Sequence, residues 1–136
     1  GLDYLDKTGR IGGWEAYFLR GSVTVKAPKE ICNVINQYST SEGALSAIRD
    51  FPPESVREYK LVDDNYPLGD FAHLYIYKEM QSSGEYLVFH RIDVVYRNFV
   101  TVVHGFGLEK EFDVDFVTNL AEIVIDKLKE APLGNW

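Results

Sequence analysis

Two stretches in the second half of the chain, residues 86–96 and 99–104, have a pattern of period two, in which every second position is apolar almost without exception, and they meet at Arg97-Asn98. Successive side chains of a strand point to opposite faces, so this alternation predicts two antiparallel strands joined by a two-residue turn. Asn98 suits such a turn because asparagine tolerates a positive φ. One face of the hairpin is then almost wholly apolar. The pairs expected on the other face are Val95 with Val100, Asp93 with Val102, Arg91 with His104, and Phe89 with Phe106.

A third strand with the same alternation is predicted at residues 71–79, followed by a turn at 81–84. Pairing Glu79 with Glu85 across this turn places His73 beside Arg91. His73, Arg91 and His104 then form one row across three strands, and other polar and aromatic side chains lie next to it.

Two helices are predicted, at residues 40–50 and 115–130. Ser39 and Glu42 have the spacing of a capping box, in which each side chain satisfies a free backbone N–H of the first turn. The second helix should begin near Asp113 or Asp115. The residues expected to face the core are Ala44, Leu45 and Ile48 in the first helix, and Phe116, Leu120, Ile123 or Val124, and Leu128 in the second.

Further strands are predicted at residues 14–19, 22–27, 31–38 and 59–62. We therefore expect one α+β domain over residues 1–136, an antiparallel sheet of about five to seven strands flanked by helices near 40–50 and 115–130.

Composition excludes several classes of function. With 136 residues, 46% of them apolar, the chain can bury one core without a metal or a disulfide, and its single cysteine, Cys32, cannot form an intramolecular bridge. A net charge of −7 opposes a phosphate backbone, so we expect no nucleic acid as a partner. No apolar run reaches the roughly 18 residues that cross a bilayer, so we expect no transmembrane segment in this chain.

The predicted row supplies a candidate ligand site made of His73, Tyr75, Arg91, Asp93 and His104. Neighbouring strands lie about 4.8 Å apart, which separates the two histidine backbones by about 10 Å. That distance is too long for a shared zinc ion, and the arginine between them repels cations, so no metal is expected. We expect no other cofactor either. An arginine framed by aromatic rings suits a small anionic ligand, a carboxylate or a phosphate, with Arg91 as its anchor.

The same residues also fit a purely structural role. Arg91 and Asp93 can pair on one face of their strand while the imidazoles bond to the backbone. A shift of one residue in either register would dissolve the row. On the apolar face, His90 is expected to be a core histidine whose hydrogen bonds are satisfied.

Other motifs add little chemistry. Carboxylates recur every second residue, at Glu109, Glu111, Asp113 and Asp115, but the run lacks the central glycine and distal glutamate of a calcium loop. Acidic residues at a helix start already interact with its positive end. No nucleophile motif of the Gly-x-Ser-x-Gly type and no phosphate-binding glycine loop is present.

Several short motifs occur in an order that resembles a known group of domains. They are Gly9-Arg10-Ile11-Gly12-Gly13-Trp14-Glu15-Ala16-Tyr17-Phe18, Ser41-Glu42-Gly43-Ala44, Pro67-Leu68-Gly69-Asp70-Phe71-Ala72, Tyr96-Arg97-Asn98-Phe99-Val100 and Leu120-Ala121. The group comprises exported bacterial and archaeal α+β domains of unknown function, lipoprotein-like and similar in architecture to Mog1/PsbP-like and kinase-sensor-like domains.

This resemblance implies an extracytoplasmic protein, secreted or anchored to a membrane through a segment outside this chain, with further residues upstream of Gly1. It also implies a non-catalytic binding or sensing role and supplies no catalytic residue. Three functions stay open: a binding module for an unknown protein, a sensor of small anions, and a hydrolase-like enzyme.

Overall fold

Six strands and two helices make up the part of the chain that our computed structural model describes, residues 10–19, 28–50 and 58–130. In chain order they are β1 (Arg10–Leu19), β2 (Glu30–Tyr38), α1 (Ser41–Arg49), β3 (Lys60–Asp63), β4 (Phe71–Met80), β5 (Tyr86–Tyr96), β6 (Phe99–Leu108) and α2 (Asp115–Glu130). The strand predicted at residues 22–27 lies outside the described residues.

The strands form one open antiparallel sheet in the order β1-β2-β6-β5-β4-β3, which confirms the α+β class. The β5–β6 hairpin has the predicted register, with Arg91 opposite His104. The positive φ in its turn, 54°, belongs to Arg97 and not to Asn98. Asn98 instead fixes the turn to β2, because its Nδ2 donates to the carbonyl oxygen of Tyr38 at 2.7 Å.

The β4–β5 hairpin closes more tightly than predicted. The backbone N–H of Gln81 donates to the carbonyl oxygen of Glu85 at 2.8 Å, so only residues 82–84 form the loop. Gly84 ends it with a φ of 87°, which a three-residue loop of this kind requires.

This loop moves the register by two residues, so the predicted pairing of β4 with β5 is wrong. Glu79 lies opposite Leu87, and Tyr75 rather than His73 lies opposite Arg91. A shift of two residues keeps each side chain on its predicted face, because the period of a strand is two.

Helix α2 covers one face of the sheet, which we call the α2 face. The main core lies there, and its buried members include Leu74, Ile92, Val94, Val103, Val117, Ala121 and Ile125. Of the predicted alternatives Ile123 and Val124, Val124 is the buried one. Ile123 is 52% exposed, and Phe116, which was predicted to be buried, is 38% exposed. The buried stripe of α2 starts at Val117 and recurs at helical spacing, which turns both of them away from it.

Helix α1 packs on one end of the opposite face, which we call the α1 face. It buries Ala44, Ala47 and Ile48 against Tyr38, Val95 and Val100. The N-cap is Thr40, whose Oγ1 accepts a hydrogen bond from the backbone N–H of Gly43 at 2.9 Å. The predicted capping box starting at Ser39 is therefore wrong, because the helix begins one residue later than predicted, at Ser41. Leu45, which was predicted to face the core, is only half-buried.

Candidate functional site

All five predicted site residues lie on the α1 face, at adjacent positions. Tyr75, Arg91 and His104 are opposite one another across β4, β5 and β6. His73 lies opposite Asp93, in the next row towards α1. The sheet therefore brings the predicted residues together, although the members of the row differ from those expected.

Arg91 and Asp93 form a buried ion pair within β5. Arg91 Nε lies 2.7 Å from Asp93 Oδ1, and Arg91 Nη2 lies 3.3 Å from Asp93 Oδ2. The side chains are 10% and 1% exposed. Because the carboxylate takes two N–H groups of the guanidinium, each charge is largely neutralised by the other.

Two tyrosine rings close around this ion pair. The Tyr59 ring lies 6.5 Å from that of Tyr75, measured between centroids and edge to face. Burial raises the pKa of both phenols, and the charge of Asp93 raises the pKa of Tyr75 further. His73 Nδ1 lies 3.2 Å from the hydroxyl of Tyr75. Both tyrosines therefore stay protonated near neutral pH, where a phenol can donate a hydrogen bond but is a poor base.

Tyr59 belongs to this cluster but was not recognised from the sequence. It immediately precedes β3, a strand whose predicted bounds of 59–62 differ by one residue from those observed. Its position depends on contacts with β4, and no local spacing indicates them.

Three aromatic rings lie side by side next to the cluster, across β4, β5 and β6. Tyr77, Phe89 and Phe106 are opposite one another in the sheet register. The centroid of the Phe89 ring is 5.4 Å from that of Tyr77 and 5.3 Å from that of Phe106. All three are half-buried. We call this set the aromatic ladder.

A cleft of about 480 Å³ opens on the other side of the sheet, on the α2 face. It lies between β4, β5 and the segment that joins β6 to α2, with Val88 and Phe112 among its lining residues. Sequence patterning did not reveal it, because a loop that crosses the sheet carries no periodic signal.

His90 lines this cleft and is only 6% exposed. Its ring centroid lies 4.7 Å from that of Phe112, and its buried Nδ1 has no hydrogen-bond partner within the described part of the chain. The prediction that its hydrogen bonds are satisfied is therefore wrong, because the ring packs against Phe112 instead of a polar group. Burial lowers the pKa of His90, so the imidazole is neutral at pH 7.

The acidic residues before α2 serve the fold. Glu109 forms an ion pair with Lys78, and Asp113 Oδ1 accepts the backbone N–H of Asp115 at 2.9 Å. Among the described residues, no group of three His, Cys, Asp or Glu side chains could hold a metal ion. Neither described helix combines the length and the apolar character needed to cross a bilayer.

Comparison with models of protein families, with curated proteins and with solved structures finds no match for this chain. The resemblance to exported α+β domains therefore stays a prediction.

Proposed function

We propose that this protein is a non-catalytic binding module that acts outside the cytoplasm and contacts its partner through the aromatic ladder. The location is supported by the sequence resemblance alone. The binding role is supported by one observation: polar groups beside the ladder pair with one another, whereas the three rings are partly exposed to solvent.

Side chains of this kind are suited to recognition. Tyr and Phe provide large contact areas with only two χ angles each, so little conformational entropy is lost when a partner binds. Tyr77, Phe89 and Phe106 lie on three hydrogen-bonded strands, which hold the rings in place before binding. The Arg91–Asp93 pair fixes the polar side of this surface and leaves the rings as its apolar part.

An NMR titration tests the proposal with N-acetyl-tryptophan amide, an uncharged aromatic probe. We expect the largest shift changes at Tyr77, Phe89 and Phe106, and weaker binding to the Tyr77→Ser variant. Tyr86→Ser is the matched control, because Tyr86 is an exposed tyrosine of β5 outside the ladder. Equal binding to both variants, or no shift change at the ladder, would refute the proposal.

A sensor of small anions is the second candidate. Arg91 and His104 lie opposite each other on β5 and β6, and two such donors can recognise a carboxylate or a phosphate. Titration with succinate and with inorganic phosphate tests this candidate. Shift changes centred on Arg91 and His104, with a raised Tm, would favour the sensor over the ladder-based module.

A hydrolase-like enzyme is the remaining alternative. Assays with p-nitrophenyl acetate and p-nitrophenyl phosphate test it directly. Turnover that is lost in the His104→Ala variant, and retained in a variant of the distant Tyr86, would replace the binding proposal with a catalytic one.

A further inference from the structure

The cleft on the α2 face is built like a small-molecule site. Its volume of about 480 Å³ lies within the usual range for such sites. Buried Val88 and Phe112 line it, and half-buried Ile76 and the exposed ring of Phe116 extend the apolar wall. The rings of Phe112 and Phe116 are 6.0 Å apart between centroids. Such walls suit an aromatic body.

His90 stands out among the residues that line the cleft. His90 Nδ1 is buried and has no partner among the residues that the structure describes. An unpaired buried nitrogen is unfavourable, so a ligand that bonds to it gains more than one that only fills space. A hydroxyl group suits either tautomer of a neutral imidazole, since it can both donate and accept.

Charges at the rim of the cleft favour an uncharged ligand. Lys78 pairs with Glu109, and Lys110 Nζ lies 3.3 Å from Glu85 Oε1. The carboxylate of Asp113 already caps α2. A charged ligand would compete with these partners, whereas an uncharged one would not.

We propose that the cleft beside His90 binds a small uncharged molecule with an aromatic body and one hydroxyl group, which hydrogen-bonds to His90 Nδ1 once the imidazole turns this nitrogen towards the cleft. The site lies on the opposite face of the sheet from the aromatic ladder. The inference is therefore independent of the proposed function, and either can fail without the other.

The full chain is titrated with p-cresol and with toluene, which differ by the hydroxyl group. NMR shift changes locate the bound probe, since those at Val88, His90 and Phe112 report the cleft and those at Tyr77 and Phe89 report the ladder. We expect both probes in the cleft. In the His90→Phe variant, which keeps a ring but has no nitrogen, the preference for p-cresol over toluene should fall about fivefold or more.

Tyr86→Ser is the control variant, and the p-cresol preference should be unchanged in it. A second measurement needs no variant: the ¹⁵N shift of His90 Nδ1 should change on addition of p-cresol and stay nearly constant with toluene. Failure of both probes to perturb the cleft would overturn the proposal, and so would an equal preference in wild type and His90→Phe. A ¹⁵N shift that does not respond to p-cresol would overturn it as well.

Discussion

Arg91 and Asp93 pair within a single strand, two residues apart on the same face, with the Asp93 carboxylate 1% exposed. The pair lies where the sequence predicted a ligand anchor, and the Asp93 carboxylate accepts two hydrogen bonds from the Arg91 guanidinium. Each of the two buried charges is therefore largely neutralised by the other inside the sheet.

Replacing one member of this pair should cost much more than replacing both. Arg91→Met leaves the Asp93 carboxylate buried and unpaired, so we expect a loss of about 3–5 kcal/mol in the free energy of unfolding. Combining Arg91→Met with Asp93→Val should recover most of that loss, since no buried charge remains. Urea denaturation of the two single variants and the double variant measures the coupling. Additive losses would contradict this account.

The observed helix cap makes Thr40 and Ser39 a matched pair. Thr40→Ala removes the acceptor for the Gly43 N–H and should cost about 1 kcal/mol, whereas Ser39→Ala should be close to neutral. Thermal unfolding of the two variants distinguishes them. A larger loss for Ser39→Ala would mean that the helix begins one residue earlier.

Gly69 and Gly84 both have a positive φ, but only Gly69 has other atoms close to it. Comparing substitutions at the two positions therefore distinguishes backbone strain from steric clash. At Gly69, with a φ of 57°, an added Cβ would lie 2.6 Å from the carbonyl oxygen of Val95. At Gly84, with a φ of 87°, it would meet nothing within 4 Å. We expect Gly84→Ala to cost about 1 kcal/mol for strain alone, and Gly69→Ala at least about 2 kcal/mol. Similar losses in urea denaturation would contradict the close approach at Gly69.

Acid should destabilise the protein partly through His90. Burial lowers its pKa, the nearby Asp113 raises it and Lys78 lowers it, and the net pKa is below 6.5. The unfolded state therefore binds the proton first, so this contribution is present above about pH 6.5 and is lost as the pH falls through the lower pKa of the folded state.

Comparing wild type with His90→Phe isolates that contribution from the other titrating groups. Glu109, Lys110, Glu111 and Asp113 also line the cleft and are present in both proteins. The stability of wild type relative to the variant should decrease between about pH 7 and pH 5, as measured by urea denaturation at each pH. A constant difference would show that His90 takes up its proton as easily in the folded state as in the unfolded one.

The sequence predicted which face of the sheet each side chain lies on better than it predicted which residues lie opposite one another on neighbouring strands. The period-two pattern of β5 and β6 gave both strands and the Arg91–His104 pairing, because a two-residue turn leaves one register. The register of the β4–β5 hairpin depended on where its loop begins, because the predicted loop of residues 80–84 and the observed loop of residues 82–84 both end at Gly84. That difference moved the partner of His73 from Arg91 to Asp93. Period-two patterning does not distinguish registers that differ by two.

Long-range contacts account for what the sequence did not predict. Phe112, which follows β6, packs against the ring of His90 in place of a polar group. Tyr59 joins the polar cluster through its contact with Tyr75 of β4. These residues are distant in sequence or lie outside regular elements, so spacing did not indicate either contact.

The short strand β3 limits how far the sheet can extend. It has four residues and pairs with β4 through Lys60, Leu61 and Asp63, with an irregularity between the last two. A foreign chain adding to this edge would find a brief, interrupted set of backbone groups beside the charge of Lys60. Exposed Leu61 and Val62 are therefore poorly placed to seed fibrils.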